Sequence, residues 1–100
     1  MNVLEAIKAL SNQTRLSILQ NLREPEKHFP PQDEGDVNVD GVCVSSIQEG
    51  VGLSQSTTST YLASLQRAGL VTSKRMGGWT YYKRNEENIR LLLEILGKEL

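Results

Sequence analysis

The sequence predicts a mainly α-helical fold with one small β-hairpin, in the order α-α-(loop)-α-α-β-β-α. Three observations predict it. Between Ser54 and Leu70, the residues Thr58, Tyr61, Leu62, Leu65 and Ala68 recur at spacings of three and four, the period of one helical face. Two β-prone runs, 70–76 and 79–84, flank Gly77-Gly78, a pair suited to a hairpin because both turn residues tolerate positive φ. The third observation is the distribution of charge. From Gly50 to Arg84 there is no Asp or Glu, while Arg67, Lys74, Arg75, Lys83 and Arg84 supply five positive charges. The whole chain has a formal net charge of −1, so the segregation of charge carries the information, not its total.

One hundred residues with an aromatic share of 5% are expected to form a single domain over 1–100 with a modest core. A second subunit would be a useful source of further buried surface. No apolar run approaches the length of a membrane span, and the N-terminus lacks a charged-then-apolar leader pattern. The single cysteine excludes an internal disulfide and fits a reducing cytoplasm.

In chain order, Val3, Leu4, Ile7 and Leu10 make an apolar stripe on a short first helix. Ser11 is the expected cap of a second helix bearing Leu16, Ile18, Leu19 and Leu22, with Arg15 in its first turn as a solvated charge or a phosphate contact. Residues 24–42 hold six acids against Lys27 and are broken by Pro25, Pro30, Pro31, Gly35 and Gly41. This predicts an acidic, mobile loop that projects away from the basic surface. Val42-Cys43-Val44 is a candidate short strand joining the hairpin. Ser45-Ser46-Ile47-Gln48 has the spacing of a capping box and predicts a helix ending at Gly50.

The next helix has Ser54 at its N-cap and stops at Gly69-Leu70. Its outer face, Ser56, Ser59, Thr60, Ala63 and Arg67, is small, hydroxyl-rich and free of acid. Such side chains let a helix lie close to a groove and bond base edges or phosphates. With a two-residue turn, the hairpin pairs Val71 with Arg84 and Ser73 with Tyr82 and carries Lys74, Arg75, Lys83 and Arg84. The last helix is capped by Asn85. Ile89, Leu92, Leu93, Leu96 and Leu100 form one stripe, and Leu91 and Ile95 lie nearly opposite. A helix apolar on two sides needs its own core and another chain. With the first helix as companion, Leu4, Ile7, Leu91, Leu92, Ile95 and Leu96 are the expected homodimer interface.

Helix, turn, helix and basic hairpin together read as a winged helix-turn-helix, and an acid-free basic surface suits a polyphosphate partner. The residues that carry this reading also resemble the ArsR/SmtB family of bacterial winged-helix repressors. Leu10-Ser11-Asn12-Gln13-Thr14-Arg15-Leu16-Ser17-Ile18-Leu19 is similar to the family's opening. Leu53 to Val71 is similar to its recognition-helix signature, and Trp79-Thr80-Tyr81-Tyr82 to its second wing strand. The resemblance implies a homodimer that binds an imperfect inverted repeat in double-stranded DNA and represses until an effector binds. It places Gln55, Ser56, Ser59 and Thr60 in the major groove and the wing from Arg75 to Trp79 near the minor groove. Ser54, Thr57, Arg67 and Lys74 complete the candidate DNA-binding set.

The departures from the family concern the operator, whose sequence does not carry over because the usual His pair is Thr60-Tyr61 here and Ala63 and Ser64 follow, and the effector. Where metal-sensing members carry Cys-Val-Cys-Asp, this chain has Cys43-Val44-Ser45-Ser46, and residues 85–100 contain neither His nor Asp. One Cys and one His, His28, are too few donors for a closed soft-metal site. No metal or other cofactor is implied, and the effector is left as a small molecule or a protein. Cys43 reads most simply as a small buried hydrophobe, with a redox-reactive thiol as the alternative. An enzyme using Cys43 and His28 lacks a third orienting group. A winged helix that holds a partner protein is the competing class, and the acid-free surface argues against it.

Overall fold

The computed structural model describes residues 1–100. Helix α1 (Val3–Leu10) is capped by Asn2, whose Oδ1 accepts from Glu5 N at 2.9 Å. Helix α2 (Gln13–Asn21) is capped by Asn12, not by Ser11. Asn12 has the extended backbone an N-cap requires, and its Oδ1 takes Arg15 N at 3.0 Å. Ser11 instead ends α1 and returns its hydroxyl to Ile7 O at 2.7 Å. Asn and Ser are comparable N-caps, so backbone conformation decides between these neighbours.

The segment expected to be a mobile loop is anchored at both ends. It opens with a single helical turn, α3 (Pro25–His28), and Phe29 behind it is buried. The side chain of Gln32 accepts from Cys43 N at 2.8 Å and donates to Gly41 O at 3.1 Å, so it splints the loop to strand β1 (Val42–Cys43). Asp36 Oδ1 accepts from Asn38 N at 2.8 Å, and Asp40 Oδ2 accepts from Asp36 N at 2.9 Å. Gly41 passes so close to β3 that a Cβ there would lie 2.5 Å from Tyr82 O. The loop does not project away from the basic surface. Its acidic end lies on the hairpin, because the nearest positive charges belong to the same chain.

Helix α4 (Val44–Val51) starts earlier and ends later than its sequence suggests. Pairing of β1 holds Cys43 extended, and the helix begins directly after it with no side-chain cap. Gly50 lies within the helix, where a Cβ would stand 2.8 Å from the Phe29 ring, and the stop is Gly52 at φ +70°. Helix α5 (Gln55–Arg67) follows the expected pattern. Ser54 Oγ accepts from Thr57 N at 3.1 Å, and Leu70 N reaches back to Leu65 O at 3.0 Å around Gly69. Thr58, Leu62, Leu65 and Ala68 are buried and Tyr61 partly so.

Strands β2 (Val71–Met76) and β3 (Trp79–Arg84) pair in the expected register, Val71 with Arg84 and Ser73 with Tyr82, and β1 adds to the far edge of β3. The core joins Ala6 and Ala9 of α1, Ile18, Leu19 and Leu22 of α2, Ile47 of α4 and Leu62 and Leu65 of α5. Leu70, Val71 and Leu92 close it. Helix α6 (Glu86–Glu99) gives this core only Leu92 as a fully buried residue, with Ile89 and Leu96 packed beside it. Leu92 is 3% exposed in the single chain, so it is an internal residue and not an interface residue as expected. Leu93, expected on the inner stripe, is 64% exposed. Ile95 and Leu96 are half-buried, whereas Leu91 and Leu4 and Ile7 of α1 are exposed. No helix is long and apolar enough to cross a membrane.

Candidate nucleic-acid interface

The exposed face of α5 carries Gln55, Ser56, Ser59, Thr60 and Arg67. Their hydrogen-bonding capacities differ. Ser54 donates to Thr57 Oγ1 at 2.9 Å while capping the helix, so its proton is committed to the N-terminal turn, whereas Thr57 Oγ1 only accepts there and keeps its own proton. Thr60 donates to Ser56 O at 2.9 Å and keeps only its lone pairs for a partner. Gln55 and Ser59 make no intramolecular side-chain hydrogen bond and retain both donors and acceptors. They face the wing across a cleft of about 340 Å³, whose other wall is Arg75, Trp79, Thr80 and Tyr82.

The wing does not present its four cations together. Alternation along paired strands sends Arg75 and Arg84 to one face and Lys74 and Lys83 to the other. Lys74 is tied to Asp40 Oδ1 at 2.5 Å, and Lys83 donates to Val39 O at 3.2 Å. Arg84 pairs with Glu86 at 2.9 Å and donates to Leu19 O at 2.9 Å. Arg67, Lys83 and Arg75, the last bonded to Thr80 Oγ1 at 3.2 Å, have no acidic partner among the five. Two of the five charges expected on the basic surface are therefore matched by carboxylates, and of the remaining three Lys83 lies on the face away from Arg75. The hydrogen bond from Lys74, then that from the Asp36 backbone, hold the Asp40 carboxyl below its ordinary value. Burial raises the Tyr81 and Tyr82 phenols, and nearby negative groups, Cys43 and Glu34 first among them, push Tyr81 further.

Arg15 is half-buried and its guanidinium is bonded within the chain. Its guanidinium donates to Ala9 O at 2.7 Å and Lys8 O at 3.2 Å, and it stacks 5.3 Å from the centre of the Tyr61 ring. It thus bonds carbonyls at the end of α1 and ties them to α5. Cys43 is buried, with Sγ 3.3 Å from Ser45 Oγ. No three His, Cys, Asp or Glu side chains converge as metal ligands would. Sequence reading missed Thr80 and Tyr82 as cleft residues, although the register and the two-residue period place both on Arg75's face. It also missed Asp40, which no local pattern marks.

A helix with a free polar face, lodged beside a hairpin wing with an unpaired arginine, defines a winged helix-turn-helix DNA-binding protein. The model of the bacterial regulatory protein arsR family matches residues 42–73, from β1 into β2. An HTH-type transcriptional regulator of Bacillus subtilis, YbzH, is 50% identical over 100 residues, covering 100% of both chains. The arsenical resistance operon repressor of the same organism is 32% identical over 89 residues, 89% of this chain and 71% of that one. Among solved structures, the homodimeric winged helix-turn-helix DNA-binding domain of Mb0332 from Mycobacterium bovis aligns with a TM-score of 0.66 at 28% identity. That alignment covers 97% of this chain and 79% of the other. The chain belongs to the arsR family of bacterial transcriptional regulators, and it is a DNA-binding regulator rather than an enzyme.

Proposed function

We propose that the protein is a cytoplasmic, single-domain, homodimeric repressor that binds an inverted-repeat operator and leaves it when an effector binds. The observation that carries this reading is the cleft in which Gln55 and Ser59 of α5 face Arg75 of the wing. Gln55 and Ser59, with Ser56 and Thr60 beside them, read base edges, and Arg75 and Arg67 hold phosphates. Trp79 and Thr80 line the path of the backbone past the wing. Ser54 and Thr57 act through the helix cap, and Lys74 acts on the loop.

The dimer forms on α1 and α6 through Leu4, Ile7, Leu91, Leu93 and Ile95. Leu4 and Leu93, 61% and 64% exposed, are large apolar residues with no cover in the single chain. The Mycobacterium bovis domain of similar fold is described as homodimeric, and the arsenical resistance relative is a repressor. The test is selection of bound fragments from genomic DNA, followed by anisotropy with the recovered site and with Gln55→Ala and Arg75→Ala. Recovery of a two-fold repeat, with specificity lost in the first variant and affinity lost in the second, is expected. Binding that shows no sequence preference and survives both changes would refute the assignment.

A further inference from the structure

A second cavity, of about 390 Å³, lies on the opposite side of Trp79 from the groove-facing cleft. It is enclosed by the loop after α3, the start and middle of α4, and β3. Its rim carries the carboxylates of Asp33, Glu34 and Glu49. None of the three is in an ion pair, and no Lys, Arg or His lines the cavity. Two hydroxyl side chains in its wall are almost wholly buried, Tyr81 at 2% exposed and Ser46 at 4%, and neither makes a side-chain hydrogen bond. Neither oxygen is sealed off completely, since no fully buried side-chain polar atom lacks a partner. Hydroxyls on side chains so deeply placed, with no partner in the protein, are open to a hydrogen-bonding group in the cavity.

We propose that this cavity binds a small linear organic polyamine. Three uncompensated carboxylates select positive charge and disfavour anions. A metal ion is a poor fit, because the carboxylates and Cys43 do not converge on one point. They stand on two separate segments, the loop and α4, so a ligand with ammonium groups spaced along a chain meets both. Each terminal ammonium has three N–H donors and no acceptor, which suits the free lone pairs of Tyr81 and Ser46. Trp79, 52% exposed at the rim, offers an indole face to a cation. The volume is at the lower end of small-molecule sites, roughly 300–1,000 Å³. Trp79 is also a wall of the cleft beside Gln55, Ser59 and Arg75, so a ligand that holds the indole from behind alters the wing. That regulatory consequence rests on the DNA-binding reading above; the binding itself does not.

Trp79 is the only tryptophan in the chain, so its fluorescence reports this site directly. Spermidine is titrated into the DNA-free protein at ~150 mM salt, where diffuse surface attraction is largely screened, with calorimetry on the same samples. Saturable binding is expected. Glu34→Gln and Glu49→Gln should each weaken it roughly tenfold or more, the loss of one charged hydrogen bond. Glu87→Gln, a remote carboxylate on α6, should change it by less than about twofold. Tyr81→Phe should weaken binding while leaving the far-ultraviolet circular dichroism of the free protein unchanged. Absence of saturable binding by both methods, an equal loss in Glu87→Gln, or Mg²⁺ binding as tightly as spermidine would overturn the proposal. Binding to the free protein with no spermidine effect on the DNA complex beyond that seen in Glu34→Gln would keep the site and refute its coupling to the wing.

Discussion

Replacing Lys74 and Arg75 by alanine, one at a time, separates two cations that are adjacent in sequence and differently employed in the structure. Arg75 faces the cleft with a neutral hydrogen-bond partner, whereas Lys74 is on the opposite face at 2.5 Å from the Asp40 carboxylate. Each phosphate contact contributes about 0.9 to the slope of log affinity against log salt. A dimer that loses Arg75 from both wings therefore flattens the slope by ~1.8, which over a fourfold rise in salt is a difference of about twelvefold. Lys74→Ala removes a charge already matched within the chain and should change the slope by less than ~0.5. The assay is fluorescence anisotropy on a selected operator between 50 and 200 mM salt, a range in which such slopes are readily measured. Equal flattening by both variants would show that Lys74 leaves Asp40 to hold phosphate, and the division of labour argued here would fail. Asp40→Asn gives the converse. It frees Lys74 and should steepen the slope of the otherwise intact protein.

Other expectations follow from packing and titration. Leu92→Ala should destabilise the fold by ~2–5 kcal/mol in denaturant unfolding, the usual cost of truncating a core leucine. Leu91→Glu with Leu93→Glu should instead leave a folded monomer by sedimentation equilibrium, and an unchanged dimer would move the interface elsewhere. Gly50→Ala places a methyl 2.8 Å from the Phe29 ring and should cost ~1–3 kcal/mol. Gly97→Ala, with nothing within 4 Å of the added carbon, should raise the thermal midpoint by removing a helical glycine. The Asp40 carboxyl is held below its ordinary value of 3.8. Its contribution is therefore complete above that value and is lost as pH falls through the lower folded one. Amide shifts of Asp36 and Val39 should stay constant down to about pH 5 and move only in more acid solution.

The parts of the fold set by local chemistry were legible in the sequence. The hydroxyl cap, apolar face and glycine stop of α5 lie within one short stretch, and the Gly77-Gly78 turn fixed the hairpin register. What escaped depended on contacts distant in sequence. Ser11 and Asn12 are both good caps, and only the path of the chain chooses Asn12. The capping-box spacing after Ser45 was overridden because pairing of β1 fixes where α4 begins. Leu92 and Leu93 are identical in composition, and the rotation of α6 on the core buries one and exposes the other. The loop illustrates the same limit. Its prolines, glycines and acids spoke for mobility, while Phe29 and Gln32, two ordinary residues among them, fasten it to α4 and β1. Charge counting found the acid-free stretch correctly but could not show that two of its five cations are already paired with carboxylates outside it.

The bridge made by Arg15 joins the end of α1 to the middle of α5 through Tyr61. In a dimer assembled on α1, it would act as a stiff arm between the contact of one subunit with the other and the helix proposed to enter the groove. The distance and angle between the two reading helices are then inherited from the way the subunits meet. Half-sites are read where those helices fall, near one turn of the double helix apart. Substitutions at Leu4 or Ile7 that rotate one subunit against the other, without unfolding either, would thus be written into the spacing of the operator while every base-reading side chain stayed unchanged.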